Sequence, residues 1–322
     1  MFLFFLGFSV INFFSLSFNL FLFLTVYVQT DKTKVPAVYI YNMILGNSVD
    51  IITLFLTFLL PMCMDDASYA YFRRLLGPVL TLLCSFSYEH PLYLTILMII
   101  HRIYAVFDPM NKLFTSGKLW IYCGVISFFS LISLLIPYFS DCPVNINQRT
   151  FSFSAACPER HPVTNVQNKY LIVIPVISMI MNIGLILYLA TRKGSMFRRA
   201  NANKISVISI SSTSHTNQNQ LPPIQRSKTR QKLEKTLLLQ SISTTTFLLG
   251  YELSGLFIRI FSEEYNLLSE DVRRFIFYSR ISASSLLCFL VYFVGTPSVR
   301  RLLIEKFVNI YKGQREISTI LI

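Results

Sequence analysis

Five ionisable residues stand inside long runs of apolar ones: Asp50, Glu89, Arg102, Glu252 and Arg280. Charges in such surroundings are costly, and they pair with a polar partner or face a watery cavity. Their types do not compose a bond-making centre. No paired carboxylates, Ser/His/Asp set, glycine-rich phosphate loop or metal-ligand spacing occurs in a segment large enough to hold one. Enzyme activity, a bound metal and a cofactor are therefore not expected. The chemistry that remains is electrostatic: holding a ligand, holding a conformation, or both.

The elements that position these residues follow from composition. Of 322 residues, 53% are hydrophobic and 14% charged, against about 25% charged in a soluble domain. The apolar residues form blocks of about 20, the length that spans a bilayer as an α-helix. Seven blocks are read: Phe2–Val28, Val38–Pro61, Gly77–Tyr104, Leu119–Tyr138, Tyr170–Ala190, Leu237–Phe261 and Phe275–Thr296. The first lacks a basic leader and is read as a retained helix rather than a signal peptide. The expected fold is an all-α membrane protein, a seven-transmembrane helix bundle forming one domain over residues 1–322.

Basic residues set the orientation. Segments 29–37, 102–118, 191–236 and the tail from Pro297 carry 20 of the 29 Lys and Arg, and the alternate segments carry 7. The basic set faces the cytoplasm, which places the C-terminus inside and the N-terminus outside. The net charge of +13 is thus a topology signal, and nucleic acid is not an expected partner. Cys142 and Cys157 fall in an outer segment, where disulfides persist. Their pairing is the simplest, with Cys63 to either as the alternative.

Depth along each helix follows at 1.5 Å per residue. Glu89 lies about 20 Å outward of Arg102, Glu252 about 22 Å outward of Leu237 and Arg280 about 24 Å outward of Thr296. These three share one slab in the outer half. Arg280 is expected to pair with Glu89 or Glu252, either as a structural ion pair or as part of a ligand pocket. Cys84, Tyr88, His90, Tyr251 and Tyr278 are the adjacent pocket candidates. Asp50, near mid-membrane, is expected to bond to Asn19.

Arg102 has two readings. A boundary arginine can snorkel to the head groups. Its context, "HRIYAVFDPM", His101 to Met110, instead resembles the Asp-Arg-Tyr motif and following Ala-Val-x-x-Pro of rhodopsin-like G-protein-coupled receptors. The high Phe content, minimal N-terminus and His-Arg variant look most like nematode serpentine chemoreceptors. Asn19, Asp50, Pro175 and Tyr292 match family positions in helices one, two, five and seven. Departures are His101 in place of the acid, Cys288 and Phe289 before Tyr292 in place of Asn-Pro, a helix six without proline, and Gly77 at the usual disulfide cysteine of helix three.

The resemblance implies a plasma-membrane receptor, in sensory cilia, that binds a small-molecule or peptide ligand in the outer half and activates a heterotrimeric G protein. Arg102, Tyr292, Arg300 and Arg301 would serve coupling. The alternative class is a seven-helix transporter or ligand-gated channel, although no internal repeat is visible.

Segment 191–236 is Ser/Thr/Asn-rich at its centre with basic flanks. It reads as a partly disordered cytoplasmic loop, either a coupling surface or a solvated linker. After Thr296 and Pro297, Val299, Leu302, Leu303, Phe307 and Ile310 recur at helical spacing. Residues 297–312 therefore read as a short amphipathic helix contacting membrane lipid.

Overall fold

The computed structural model describes residues 2–29, 36–108, 113–147, 152–155, 157–158, 161–204 and 223–320. Helix α1 (Phe2–Val28), α2 (Ala37–Phe58), a short α3 (Asp66–Leu75), α4 (Gly77–Phe107) and α5 (Ser116–Tyr138) come first. An antiparallel hairpin follows, β1 (Val144–Asn147) with β2 (Ser152–Ala155), in register Val144 with Ala155 and Asn147 with Ser152. Then come α6 (Pro162–Tyr170), α7 (Val173–Lys204), α8 (Pro223–Ile260), α9 (Ser262–Leu267), α10 (Glu270–Ser285), a π-helical turn (Phe289–Val294) and α11 (Pro297–Ile320).

The protein is an all-α membrane bundle whose polarity is reversed relative to a water-soluble fold. Large apolar residues such as Val10, Phe13, Phe129, Ile180 and Leu187 face outward, whereas Asn12, Asn19, Asn47, Ser87, Asn182 and Gln240 are buried. With lipid outside, helices have little hydrophobic reason to associate, so packing and interhelical hydrogen bonds hold them. Thr81, Thr95, Thr244 and Thr245 also bond back to carbonyls of their own helices, which satisfies hydroxyls that would otherwise stand alone.

Among the described residues, five helical stretches are long and apolar enough to cross a membrane: Leu6–Val28, Ala37–Phe58, Gly77–Phe107, Ser116–Tyr138 and Pro162–Thr191. The sixth and seventh expected spans differ for a physical reason. Helix α8 spends Gln240, Ser241, Thr244 and Thr245 on its buried face, and this lowers its hydropathy without exposing those groups to lipid. The last span is split: α10 stops at Ser285 and the chain continues through the π-helical turn, where Gly295 N donates to Leu290 O.

Helices five and six also run beyond their apolar blocks. Helix α7 continues to Lys204 and α8 starts at Pro223, so much of the 191–236 loop is helical. The expected disorder of its Ser/Thr/Asn-rich centre falls on residues 205–222, outside the described residues. Helix α11 likewise extends to Ile320, past the expected 312. Its Val299 and Leu303 pack into the bundle core with Tyr292 and Met43, while Phe307 remains exposed. The apolar stripe is therefore divided between bundle and membrane surface. Thr296 donates its hydroxyl to Val291 O at 2.8 Å, and its backbone carbonyl accepts from Val299 N and Arg300 N at the start of α11.

At the end of the bundle away from Arg102 the hairpin covers the helices. Cys142 is bridged to Cys157, with Cα atoms 5.2 Å apart, and Cys63 is free. Ile146 N donates to Thr81 Oγ1 at 3.0 Å, and Asn145 Nδ2 donates to Arg73 O at 3.0 Å. Asn145 occupies the space above Gly77: a Cβ there would lie 2.5 Å from its Oδ1. Thus Gly77, at the usual cysteine position, makes room for a non-covalent attachment of the loop. Ile146 then packs with Phe8, Leu54 and Phe58.

Candidate functional site

Beneath the hairpin lies a cavity of about 430 Å³, within the range of small-molecule sites. Helix α4 supplies Cys84, Tyr88 and Glu89, α8 supplies Phe247, Tyr251 and Glu252, α10 supplies Arg280, and Asp50 of α2 also borders it. Tyr88 and Tyr251 approach with ring centroids 5.4 Å apart. The cavity wall is thus aromatic and apolar with a few charges, the composition that fixes a ligand's orientation.

Two pocket candidates do not reach it. His90 is 1% exposed and turns the other way, its Nε2 2.9 Å from Ser127 Oγ of α5 and its ring stacked on Phe86. Tyr278 packs with Phe8 and Phe58 between α1, α2 and α10. Both are sequence neighbours of residues that do border it, Glu89 and Phe277; neighbouring helical residues point about 100° apart, so position along a helix alone does not place a side chain in a cavity.

The expected ion pair is also absent among the described residues. Arg280 donates from Nε to Ser254 Oγ at 3.2 Å, and its Cζ lies 5.1 Å from the Tyr251 ring centroid. Glu89 accepts from Gln167 Nε2 of α6 at 3.3 Å. Glu252 interacts electrostatically with both Arg259 and Arg280 without a contact at ion-pair distance. The guanidinium lies over the ring face of Tyr251, one residue around the helix from Glu252, and this gives it a cation–π contact in place of a salt bridge.

Asp50 is held by α4 and α10 rather than by Asn19. Ser87 Oγ donates to its Oδ1 at 3.2 Å and Ser284 Oγ to its Oδ2 at 2.9 Å. Asn19 instead donates to Asn47 Oδ1 at 3.1 Å and Ser48 Oγ at 3.2 Å, about one turn inward of Asp50 on α2. Asn47 Nδ2 donates to Ser284 O at 3.1 Å. These bonds form a continuous polar chain from α1 through α2 to α10 and α4, ending at the cavity.

Near the C-terminal end of α4, Arg102 does not snorkel. It is 4% exposed, and its Nη1 donates to Asn182 Oδ1 of α7 at 2.6 Å. The same oxygen accepts from Ser241 Oγ of α8 at 3.0 Å, while Asn182 Nδ2 donates to Thr245 Oγ1 at 3.2 Å. One buried amide therefore joins α4, α7 and α8. Gln240 Nε2 donates to the Tyr292 hydroxyl at 2.9 Å, tying α8 to the π-helical turn as well. His101 faces away from this hub: its Nδ1 is 3.1 Å from the Tyr39 hydroxyl and its ring stacks on Phe114. Arg300 is half-buried and Arg301 exposed at the start of α11.

Sequence reasoning missed Asn182, Gln240, Ser241 and Thr245. Their signal was present: a lone Asn in "MIMNIGLI", and polar residues at 240, 241, 244 and 245, whose spacing marks one helical face.

A buried polar hub at one end and a lined cavity at the other, within a bundle of membrane-length helices, describe a transmembrane receptor scaffold. Residues 34–183 match the family model described as Caenorhabditis serpentine receptor-like protein, class xa. Serpentine receptor class XA 10 of Caenorhabditis elegans is 31% identical over 300 residues, covering 89% of this chain and 85% of that relative. The chain belongs to the nematode serpentine receptor family, class xa. That is a chemoreceptor family rather than an enzyme family.

Proposed function

We propose that this receptor binds an external small-molecule or peptide ligand in the outer cavity and activates a heterotrimeric G protein at its cytoplasmic face. It acts at the plasma membrane with its N-terminus outside. The observation that carries the reading is the Asn182 hub. Near the end of α4, and mid-way along α7 and α8, the three helices share one set of hydrogen bonds, so displacement of α8 releases Ser241 and Thr245 and opens a path to Arg102. Outward movement of one helix about such an inner contact is a switch between two packed arrangements, and a ligand drives it by binding one of them better.

The Asp50–Ser284 chain supports coupling between the two ends, because it borders the cavity and links α2, α4 and α10. Arg102, Tyr292, Arg300 and Arg301 serve the G protein, and the exposed Phe307 of α11 meets membrane lipid.

The test is second-messenger output from cells expressing the chain, challenged with a ligand library, with and without the cells' Gα subunits. Ionic current is recorded in parallel. Ligand-dependent output that disappears with Gα supports the reading; ligand-gated current that persists without Gα replaces it with a channel or transporter.

A further inference from the structure

The charges around the cavity do not cancel one another locally. Asp50 is satisfied by two serine hydroxyls, and Glu89 by Gln167 on the opposite, α4 side. The wall made by α8 and α10 carries two arginines and one acid: Arg259, which donates to Asn168 O, Arg280, and Glu252, which both arginines share. That wall has a surplus of one positive charge; with Asp50 and Glu89 the lining as a whole counts three acids against two arginines, so the attraction for an anion is local to the arginine whose donors stay open.

Arg280 is positioned to use it. Its Nε is fixed by Ser254, and its plane lies over Tyr251. Gly255 admits the rest of the fork, since a Cβ there would lie 2.8 Å from Nη2. The two terminal nitrogens make no hydrogen bond to any described residue, and the side chain borders the cavity. A guanidinium stays charged when buried and matches a carboxylate with two parallel N–H donors.

From this we infer that the cavity takes a small organic acid, its single carboxylate held by the Arg280 fork and its apolar body against Phe247, Leu248 and Tyr88. Glu89 on the far side disfavours a second negative charge. The inference rests on the outer cavity being the ligand site, and it adds the ligand's chemical class.

The experiment uses the full chain purified in lipid nanodiscs. The probes are a panel of aryl-alkyl and medium-chain monocarboxylates, each matched with its methyl ester and with the amine of equal length. Binding is read as a saturable rise in thermal midpoint. The acids should bind and their esters and amines should not. Arg280→Gln should weaken acid binding roughly 10- to 100-fold, the loss expected for a charge-assisted hydrogen bond. Arg280→Lys should weaken it less, and Glu252→Gln, which removes the competing acid, should strengthen it.

Preference for the amines, absence of binding by every acid in the panel, or equal acid binding by parent and both Arg280 variants overturns the inference. The Glu252→Gln gain keeps the test decisive if Arg280→Gln fails to fold. Gα-dependent output is measured separately: acid binding with no such output counts against the receptor mechanism alone, and output driven by an amine counts against the carboxylate alone.

Discussion

Removing the α8 side of the Asn182 hub should release α8 while leaving Arg102 paired. In the double variant Ser241→Ala, Thr245→Val, both hydroxyls disappear with little change in shape, and the 2.6 Å bond from Arg102 to Asn182 is untouched. Each lost neutral bond contributes about 1 kcal/mol to the packed arrangement, so the equilibrium shifts by about 2 kcal/mol. At 1.4 kcal/mol per decade this is roughly 30-fold. If ~1% of unliganded receptors have α8 displaced, a typical minor-state population, the double variant should reach roughly 20%. The assay is ligand-independent second-messenger output at matched surface density. Basal output equal to or below the parent's at that density would refute the hub as the resting lock.

Arg102→Ala should leave surface amount largely unchanged, because it removes a buried charge, but should reduce Gα-dependent output; Arg102→Lys, which keeps charge without the planar fork, should show a partial defect in the same assay. A tag after Ile322 should stain only in permeabilised cells, and a tag inserted between β1 and β2 should stain on intact ones. Cys142→Ser and Cys157→Ser should lower surface expression to a similar degree, by flow cytometry, since either change opens the same bridge. Gly77→Leu should lower it too by displacing Asn145 from its seat, whereas Gly7→Ala, with open space around it, should not.

The common level of Glu89, Glu252 and Arg280 was legible in the chain; rotation about each helix was not. Glu89 and His90 are adjacent and equally deep, yet one borders the cavity and the other bonds Ser127 on α5. Arg280 lies in the expected slab, but its partner was set by which face of α8 turned toward it, and that face carries Tyr251 and Ser254. Asn19 and Asp50 were expected to bond to one another; both are buried, but Asn47 and Ser284 intervene and take those bonds. The seven blocks located the helices well where lipid contact demands apolar residues. They stop short of the ends of α7 and α8 that flank residues 205–222, where helix continues without an apolar requirement. The Asn182 hub was overlooked because single amides and hydroxyls carry no formal charge, although a membrane interior makes their pairing just as necessary.

The hairpin over the cavity is a closed ring: its disulfide joins its own two legs and leaves the bundle untouched. What seats it is a glycine, a threonine hydroxyl and one backbone carbonyl, at Gly77, Thr81 and Arg73. Apart from its two chain connections, non-covalent contacts alone hold it, with Ile146 packed on Phe8, Leu54 and Phe58. A chimaera carrying the corresponding loop of another class xa receptor should seat wherever the incoming strand keeps an Asn-Ile pair. Such chimaeras would change which molecules enter the cavity while leaving every charged group on its walls in place, and so would separate the receptor's filter from its recognition.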